Sequence, residues 1–310
     1  MQRLTHFWNW LRRGRTGVIG LPYLWVLAFF LFPFLIVLKI SVSEAEGVLF
    51  KDVLTLKEGL LQLSLKLSNY VFITQDDLYF KTYLSSIKYA AVTTVLCLAI
   101  GYPFAYFMAR AKATIQPALL MLVMLPFWTS FLLRVYAWKG LLTEKGWVAE
   151  ALSAVGIDHL LFAMNAIPAL GKYMNSPFSL VVGMVYTYLP FMILPLYGNL
   201  AKMDLRLLEA ASDLGATPWV AFWKVTVPLS KAGIIAGSML VFIPCIGEFV
   251  IPELLGGPQT LMIGRVLWDE FFSNNDWPMA STVAVVMVLL ILVPLAVFNR
   301  YQAQAQEATR

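Results

Sequence analysis

Apolar residues in this chain come in long, predominantly apolar runs, not in the three-and-four spacing of a helix on a soluble core or the alternation of a half-buried strand. Six runs stand out, at 18–40, 84–108, 117–141, 178–200, 233–251 and 279–298. Each is about 20 residues, and at ~1.5 Å per residue a helix of that length crosses a hydrocarbon core of ~30 Å. The pattern predicts an all-α polytopic membrane protein with six transmembrane helices. The first run is full length and lacks a small-residue cleavage site, so it is expected to stay as the first membrane helix.

One segment departs from this pattern. A polar loop over 42–83 separates the first two runs, and within it LQLSLKLSN, 61–69, alternates apolar and polar with period two, which predicts a strand. A loop of this length is unusual for a simple connection. It reads either as a structural flap or as a contact surface for a partner outside the membrane.

Composition agrees with the runs: 60% of residues are hydrophobic and 13% charged, where soluble domains carry about a quarter. Basic residues alternate from loop to loop. Arg3, Arg12, Arg13 and Arg15 precede the first run, Arg110 and Lys112 follow the second, Lys202, Arg206, Lys224 and Lys231 follow the fourth, and Arg300 and Arg310 end the chain. Glu44, Glu46, Asp52, Glu58, Asp76, Asp77, Asp269, Glu270 and Asp276 sit in the opposite loops. Positive loops stay in the cytoplasm, so both termini are expected there. The formal charge of +5 is thus a lopsided sum, with no basic patch interleaved with aromatics that would suit nucleic acid. Cys97 and Cys245 fall inside runs and read as small packing residues.

Enzyme chemistry is poorly supported. No G-x4-G-K-[ST] phosphate loop occurs, since Gly171 and Lys172 are followed by Tyr173, and no H-E-x-x-H occurs with only His6 and His159 present.

The cytoplasmic stretch DLRLLEAASDLGATPWVAFWKVTVP, 204–228, has a helical grammar of its own. Asp204 caps a short helix carrying Glu209 and Asp213, Gly215 ends it in the left-handed conformation, and Pro218 opens the next. Two such short helices need a partner to dock on, or else lie on lipid. The spacing of Glu209, Ala210, Ala211, Gly215, Val225, Val227 and Pro228 resembles E-A-A-x3-G-x9-I-x-L-P, the cytoplasmic motif of ABC-importer permeases, with Val at both apolar positions. PFWTSFLLRVYAW (126–138), YTYLPFMILPLY (186–197) and GEFVIPELLGGPQTLMIGRVLWDEFFSNNDWP (247–278) look like the first permease subunit of polyamine importers, closest to the putrescine system.

That resemblance implies a type I ABC-importer permease fold over 1–310, with a cytoplasmic segment at 1–17, an external loop at 42–83 and a coupling loop at 201–231. Glu209, Ala210, Ala211, Asp213, Gly215 and Pro228 would couple the chain to an ATPase. The implied partners are a second, different permease, two ATPase subunits that bind ATP and Mg, and a periplasmic polyamine-binding protein, in the inner membrane. No cofactor is implied for this chain. Other cargoes, another small organic solute or an anion, stay open, as does a channel or secondary transporter working without ATP.

Against this background the carboxylate in PCIGEFVIPELLGGP, 244–258, stands out. Glu248 lies about 15 residues past Gly233, ~22 Å across the membrane in its outer half. A lipid-facing acid costs at least a few kcal/mol, so Glu248 faces protein or a watery path. It is either a structural acid paired with Arg134 or Arg265, or an attractive site for a cationic substrate. Gly237, Val241, Cys245 and Glu248 share one face, and Pro244 and Gly247 loosen the helix beneath. Polyamines suit carboxylates and aromatic faces, which makes Trp128, Tyr186 and Tyr188 candidate walls. Trp128, Leu132 and Tyr136 line a face of the third span, and Tyr186, Pro190, Ile193 and Tyr197 one of the fourth. Glu253, Asp269 and Glu270 follow outside, where they raise the local cation concentration or bind a partner.

Overall fold

The chain is described here by a computed structural model covering residues 14–46, 49–50, 54–57, 60–63 and 66–307. Arg3, Arg12, Arg13, Asp52, Glu58 and Arg310, part of the charge pattern above, lie outside the described residues. Two units can be distinguished: Met1–Gln75 with Asp269–Val286, and Asp76–Trp268 with Met287–Arg310.

The first unit begins with α1 (Gly14–Val26), a π turn (Leu27–Leu31) and α2 (Phe32–Ser41). Together they form a 24-residue apolar span, Val18–Ser41, none of whose most hydrophobic window is buried. Phe29, Phe30 and Phe32 are exposed in this unit, as suits a helix whose solvent is lipid. Four short strands follow: β1 (Ala45–Glu46) pairs antiparallel with β2 (Leu49–Phe50), and β3 (Leu54–Lys57) with β4 (Leu60–Leu63) in register Leu54↔Leu63. The expected strand at 61–69 is therefore shorter, because α3 (Ser68–Gln75) has begun by its end. Inside the 42–83 bounds α4 (Asp77–Arg110) also starts, capped by the Asp76 carboxylate 2.8 Å from Leu78 N. Within the first unit Ser41 Oγ and Tyr70 Oη are 2.8 Å apart, and Thr282 donates to Ser41 O.

The second unit is built on α4, α9 (Pro177–Leu200) and α13 (Lys231–Ile246), which pack pairwise against one another. Glycine permits this approach: a Cβ on Gly237 would lie 2.8 Å from Met192 Sδ, and one on Gly233 2.9 Å from Asn199 Cβ. The shared face of Gly237, Val241 and Cys245 is thus a helix-packing face on α9. Cys97 and Cys245 are buried free thiols.

Two of the six apolar runs are not straight helices. The third becomes α5 (Gln116–Met124), a 3-10 turn (Leu125–Trp128) and α6 (Phe131–Leu142), with a bend of 88° at Thr129 and Ser130. Trp128 and the pair Leu132 and Tyr136 consequently do not share one helix face. Beyond α6 come α7 (Trp147–Ala154) and α8 (Ile157–Ala163), around a small core of Leu142, Ala149, Ile167 and Tyr173. The fifth run stops at Ile246 and continues as the separate α14 (Val250–Leu254), not as one span to 251. Four described helices are long and apolar enough to cross a membrane, and six spans result if each bent pair counts as one. The last element is α16 (Trp277–Glu307).

Candidate functional site

The 204–228 motif folds as two short helices meeting at Gly215. In α10 (Arg206–Asp213) Glu209, Ala210 and Asp213 are exposed and Ala211 half-buried. The Asp204 carboxylate accepts from Arg206 N at 3.0 Å from two residues before the helix, whose N-cap position is Leu205 and not Asp204 as expected. Gly215 has φ +80°, a conformation that costs an L-residue about 1–2 kcal/mol. Pro218 then opens α11 (Pro218–Ala221), capped by Thr217, and a π turn (Phe222–Thr226) leads into α12 (Val227–Leu229), with Pro228 in its first turn. Leu214 at 90% and Trp219 at 70% exposure make this an apolar surface without cover from its own unit, the property of a docking element.

Glu248 sits where α13 has ended and α14 begins. Its Oε1 accepts from the amides of Phe249, Val250 and Ile251 at 3.1, 3.0 and 3.3 Å, and its Oε2 accepts from the Tyr188 hydroxyl at 2.5 Å. Neither Arg134 nor Arg265 is its partner in these contacts. The side chain satisfies backbone donors that a helix start leaves unpaired, and its negative charge suits the positive end of α14.

After α14 the chain reverses through a 3-10 turn (Pro258–Thr260) into α15 (Ile263–Trp268). Gly256 and Gly257 permit the reversal, since a Cβ on Gly256 would come within 2.6 Å of Thr260 Oγ1. The returning strand of chain passes so close to the end of α13 that a Cβ on Gly264 would lie 2.5 Å from Gly247 O. Two helix hydroxyls pin it: Ser86 Oγ accepts from Ile263 N at 2.8 Å, and Ser179 Oγ donates to Leu255 O at 2.6 Å. Irregular backbone at membrane depth needs such partners.

This reversed element encloses, with α6, a pocket of about 220 Å³ lined by Leu132, Tyr136, Phe249, Val250, Glu253, Leu254, Arg265 and Trp268. The rings of Phe249 and Trp268 stack in parallel, centroids 4.5 Å apart and planes 9° from coincident. Glu253 Oε2 lies 2.6 Å from Arg265 Nε, with the Glu253 side chain about half exposed at 51%.

The other candidates are distributed. Tyr188 is buried against Glu248, whereas Tyr186 faces a second cavity of about 260 Å³ with Phe104, Met108, Leu122, Pro126 and Pro190. That cavity is apolar and holds no carboxylate. Trp128 ends its 3-10 turn at 76% exposure. Asp269 and Glu270 belong to the other unit, where they open a π turn (Asp269–Ser273) and Glu270 accepts from Asn274 Nδ2 at 2.9 Å. Sequence reasoning missed the Phe249–Trp268 stack. Its signal is the Gly256–Gly257 pair, which marks a reversal that returns 268 to 249.

A family model described as binding-protein-dependent transport system inner membrane component matches residues 97–306. The chain is 36% identical over 285 residues to the spermidine/putrescine transport system permease protein PotB of Haemophilus influenzae, covering 92% of each. It is 36% identical to the Escherichia coli protein of the same name, over 87% of this chain and 92% of that one, and 34% identical to the E. coli inner membrane ABC transporter permease protein YdcU, over 71% of each. Among solved structures, a bacterial alginate ABC transporter in complex with alginate pentasaccharide-bound periplasmic protein contains a similar chain, with TM-score 0.66 and 15% identity over 96% of this chain and 97% of that one. A further structure of a bacterial ABC transporter involved in alginate import gives TM-score 0.59 at 16% identity, over 92% and 97%. Both likenesses are of fold.

Proposed function

We propose, for a chain that belongs to the binding-protein-dependent transport system inner membrane component family, that it is the permease subunit of an ATP-driven importer of putrescine and spermidine. The relatives at 36% identity that carry those amines in their names support the cargo. The chain supplies path and lever, and ATP with its Mg is bound by a partner ATPase.

The observation that carries the reading is the pocket at Glu253. A polyamine is a chain of methylenes between ammonium groups. The parallel faces of Phe249 and Trp268 offer it apolar and π surface, and Glu253 offers it charge. Arg265 engages Oε2, yet a carboxylate has about four acceptor positions, so an ammonium can bind beside the guanidinium. Glu248 and Tyr188 stand behind this pocket and hold α14 in place, so they belong to the path as its support. Trp128 and Tyr186 line the path at other points of the cycle, and Asp269 and Glu270 raise the local cation concentration outside the membrane.

Alternation of basic and acidic loops supports an orientation with both termini cytoplasmic. In that orientation the reversal after α14 lies outside, under a periplasmic binding protein, and α10 lies inside, on one of two ATPase subunits. A second, different permease completes the path. ATP binding closes the ATPases, the exposed α10 follows, and the spans reorient.

The test is ATP-dependent uptake of labelled putrescine and spermidine into vesicles holding the assembled complex with its binding protein. Uptake of either amine that falls in Glu253→Gln at matched assembly is the expected result. A native complex that hydrolyses ATP on docking of its binding protein but accumulates neither amine sinks the substrate assignment.

A further inference from the structure

The coupling element and the α13 span meet at one residue. Helices Pro218–Leu229 and Lys231–Ile246 are bent by 65°, and Ser230 is the residue between them. Ser230 is fully buried. Its Oγ donates to Val227 O at 3.0 Å, one turn back in the cytoplasmic arm. A serine hydroxyl has one proton. The 2.8 Å contact between Ser230 Oγ and Tyr102 Oη is therefore a bond in which the tyrosine donates.

Tyr102 is buried on α4, far along the chain from the motif. Its ring packs edge-on against Phe222 at 5.6 Å, and Tyr106, one turn on, meets the same ring at 5.8 Å. Phe222 opens the π turn Phe222–Thr226, and Thr226 Oγ1 is buried there without a hydrogen-bond partner among the described residues. The arm is thus locally widened and incompletely satisfied, and single π turns of this kind are frequent at functional sites. On the far side of the bend the structure is close-packed: Gly233 and Gly237 bring α13 onto α9 at near backbone contact. A tight body, a bend and a loosely wound arm make a lever, and α4 touches the arm through Phe222 and the bend through Ser230.

From this geometry we infer that Tyr102 is the positioning residue that passes movement of the coupling helix into α4. When an ATPase displaces α10, the arm from Pro218 to Leu229 swings about Ser230. Tyr102 grips both sides of the pivot, with its ring on the arm and its hydroxyl on the hinge, so α4 follows. Without the hydroxyl the arm turns and α4 lags. The inference rests on the permease reading but not on the identity of the cargo.

The test uses the full complex in vesicles and reads three quantities in parallel: basal ATP hydrolysis, its stimulation by the binding protein, and labelled putrescine taken up per ATP hydrolysed. Tyr102→Phe keeps the ring and removes the hydroxyl. The expected result is unchanged basal hydrolysis, with stimulation and uptake per ATP each down about fivefold, the factor that one net hydrogen bond corresponds to. Ser230→Ala removes the same bond from its other end together with the bond to Val227 O, so it is expected to lose at least as much, and the double variant to be no worse than Ser230→Ala alone. Stimulation within twofold of native in an assembled Tyr102→Phe complex overturns the inference, as does additivity of the two variants. Failure of both singles to assemble overturns it too, by making the pair a folding determinant. Native stimulation without amine uptake leaves this test readable from hydrolysis and counts against the cargo alone.

Discussion

The hydroxyl of Tyr188 donates to Glu248 Oε2 at 2.5 Å while the other oxygen of that carboxylate takes three successive amides at the start of α14. One acid thereby ties the fourth apolar run to a helix break in the fifth. The negative charge inside this apolar chain serves the backbone first.

Tyr188→Phe removes one donor from a carboxylate that is only half-buried and leaves the three amide bonds intact. A lost hydrogen bond to a charged group costs about 1–3 kcal/mol, so the thermal midpoint of the solubilised complex is expected to fall by a few degrees. Glu248→Ala uncaps α14 as well and is expected to fall further. Glu248→Gln keeps an oxygen for the amides and lies between native protein and Glu248→Ala. Equal midpoints for Glu248→Ala and native protein would remove the capping role.

Glu253→Gln separates binding from stability. The side chain is half exposed and its ion pair with Arg265 faces the pocket, where such pairs add ~0–1 kcal/mol to folding. The expected outcome is a midpoint within a degree or two of native, with the apparent KM for putrescine raised about tenfold, corresponding to ~1.4 kcal/mol of binding. A concentration series of initial uptake rates measures it.

The coupling surface is tested by charge and by backbone. Glu209→Arg reverses the charge of an exposed residue, so folding is expected to survive while co-purification of the ATPase is lost. Gly215→Val forces a β-branched residue to φ +80°, at a cost of at least 1–2 kcal/mol. It is expected to reorient α11 against α10 and lower binding-protein-stimulated hydrolysis severalfold.

Glycines predict where size is tolerated. Gly237→Val places methyl groups where even a Cβ lies 2.8 Å from Met192 Sδ and 3.1 Å from Met192 O. Overpacking of this kind costs ~1–3 kcal/mol or more, and yield of folded complex by size-exclusion chromatography is expected to drop sharply. Gly20→Ala, with nothing within 4 Å of the added carbon, is expected to match native yield.

Six apolar runs, the alternation of charge and the motif from Glu209 to Pro228 were legible because each depends on neighbours along the chain. Lipid demands unbroken apolar helices regardless of packing, and Gly215 adopts its left-handed turn for local steric reasons. Two pairings that matter to the site were not legible: Tyr188 with Glu248 spans 60 residues and Phe249 stacks on Trp268 across a reversal. Run length did not reveal the breaks at Thr129 and Gly247 either, because apolar residues suit a bent element as well as a straight span.

By itself, then, the sequence determined that this chain lives in a membrane, which loops are charged and where two short helices meet at Gly215. Tertiary structure decided what the acids do. Glu248 became a cap because α13 ends two residues before it, at Ile246, and three amides need an acceptor there. Glu253 came to face a pocket because two glycines let α15 fold back beside it. A carboxylate's role depends on which donors surround it, and those donors arrive from distant parts of the chain only when the helices have packed.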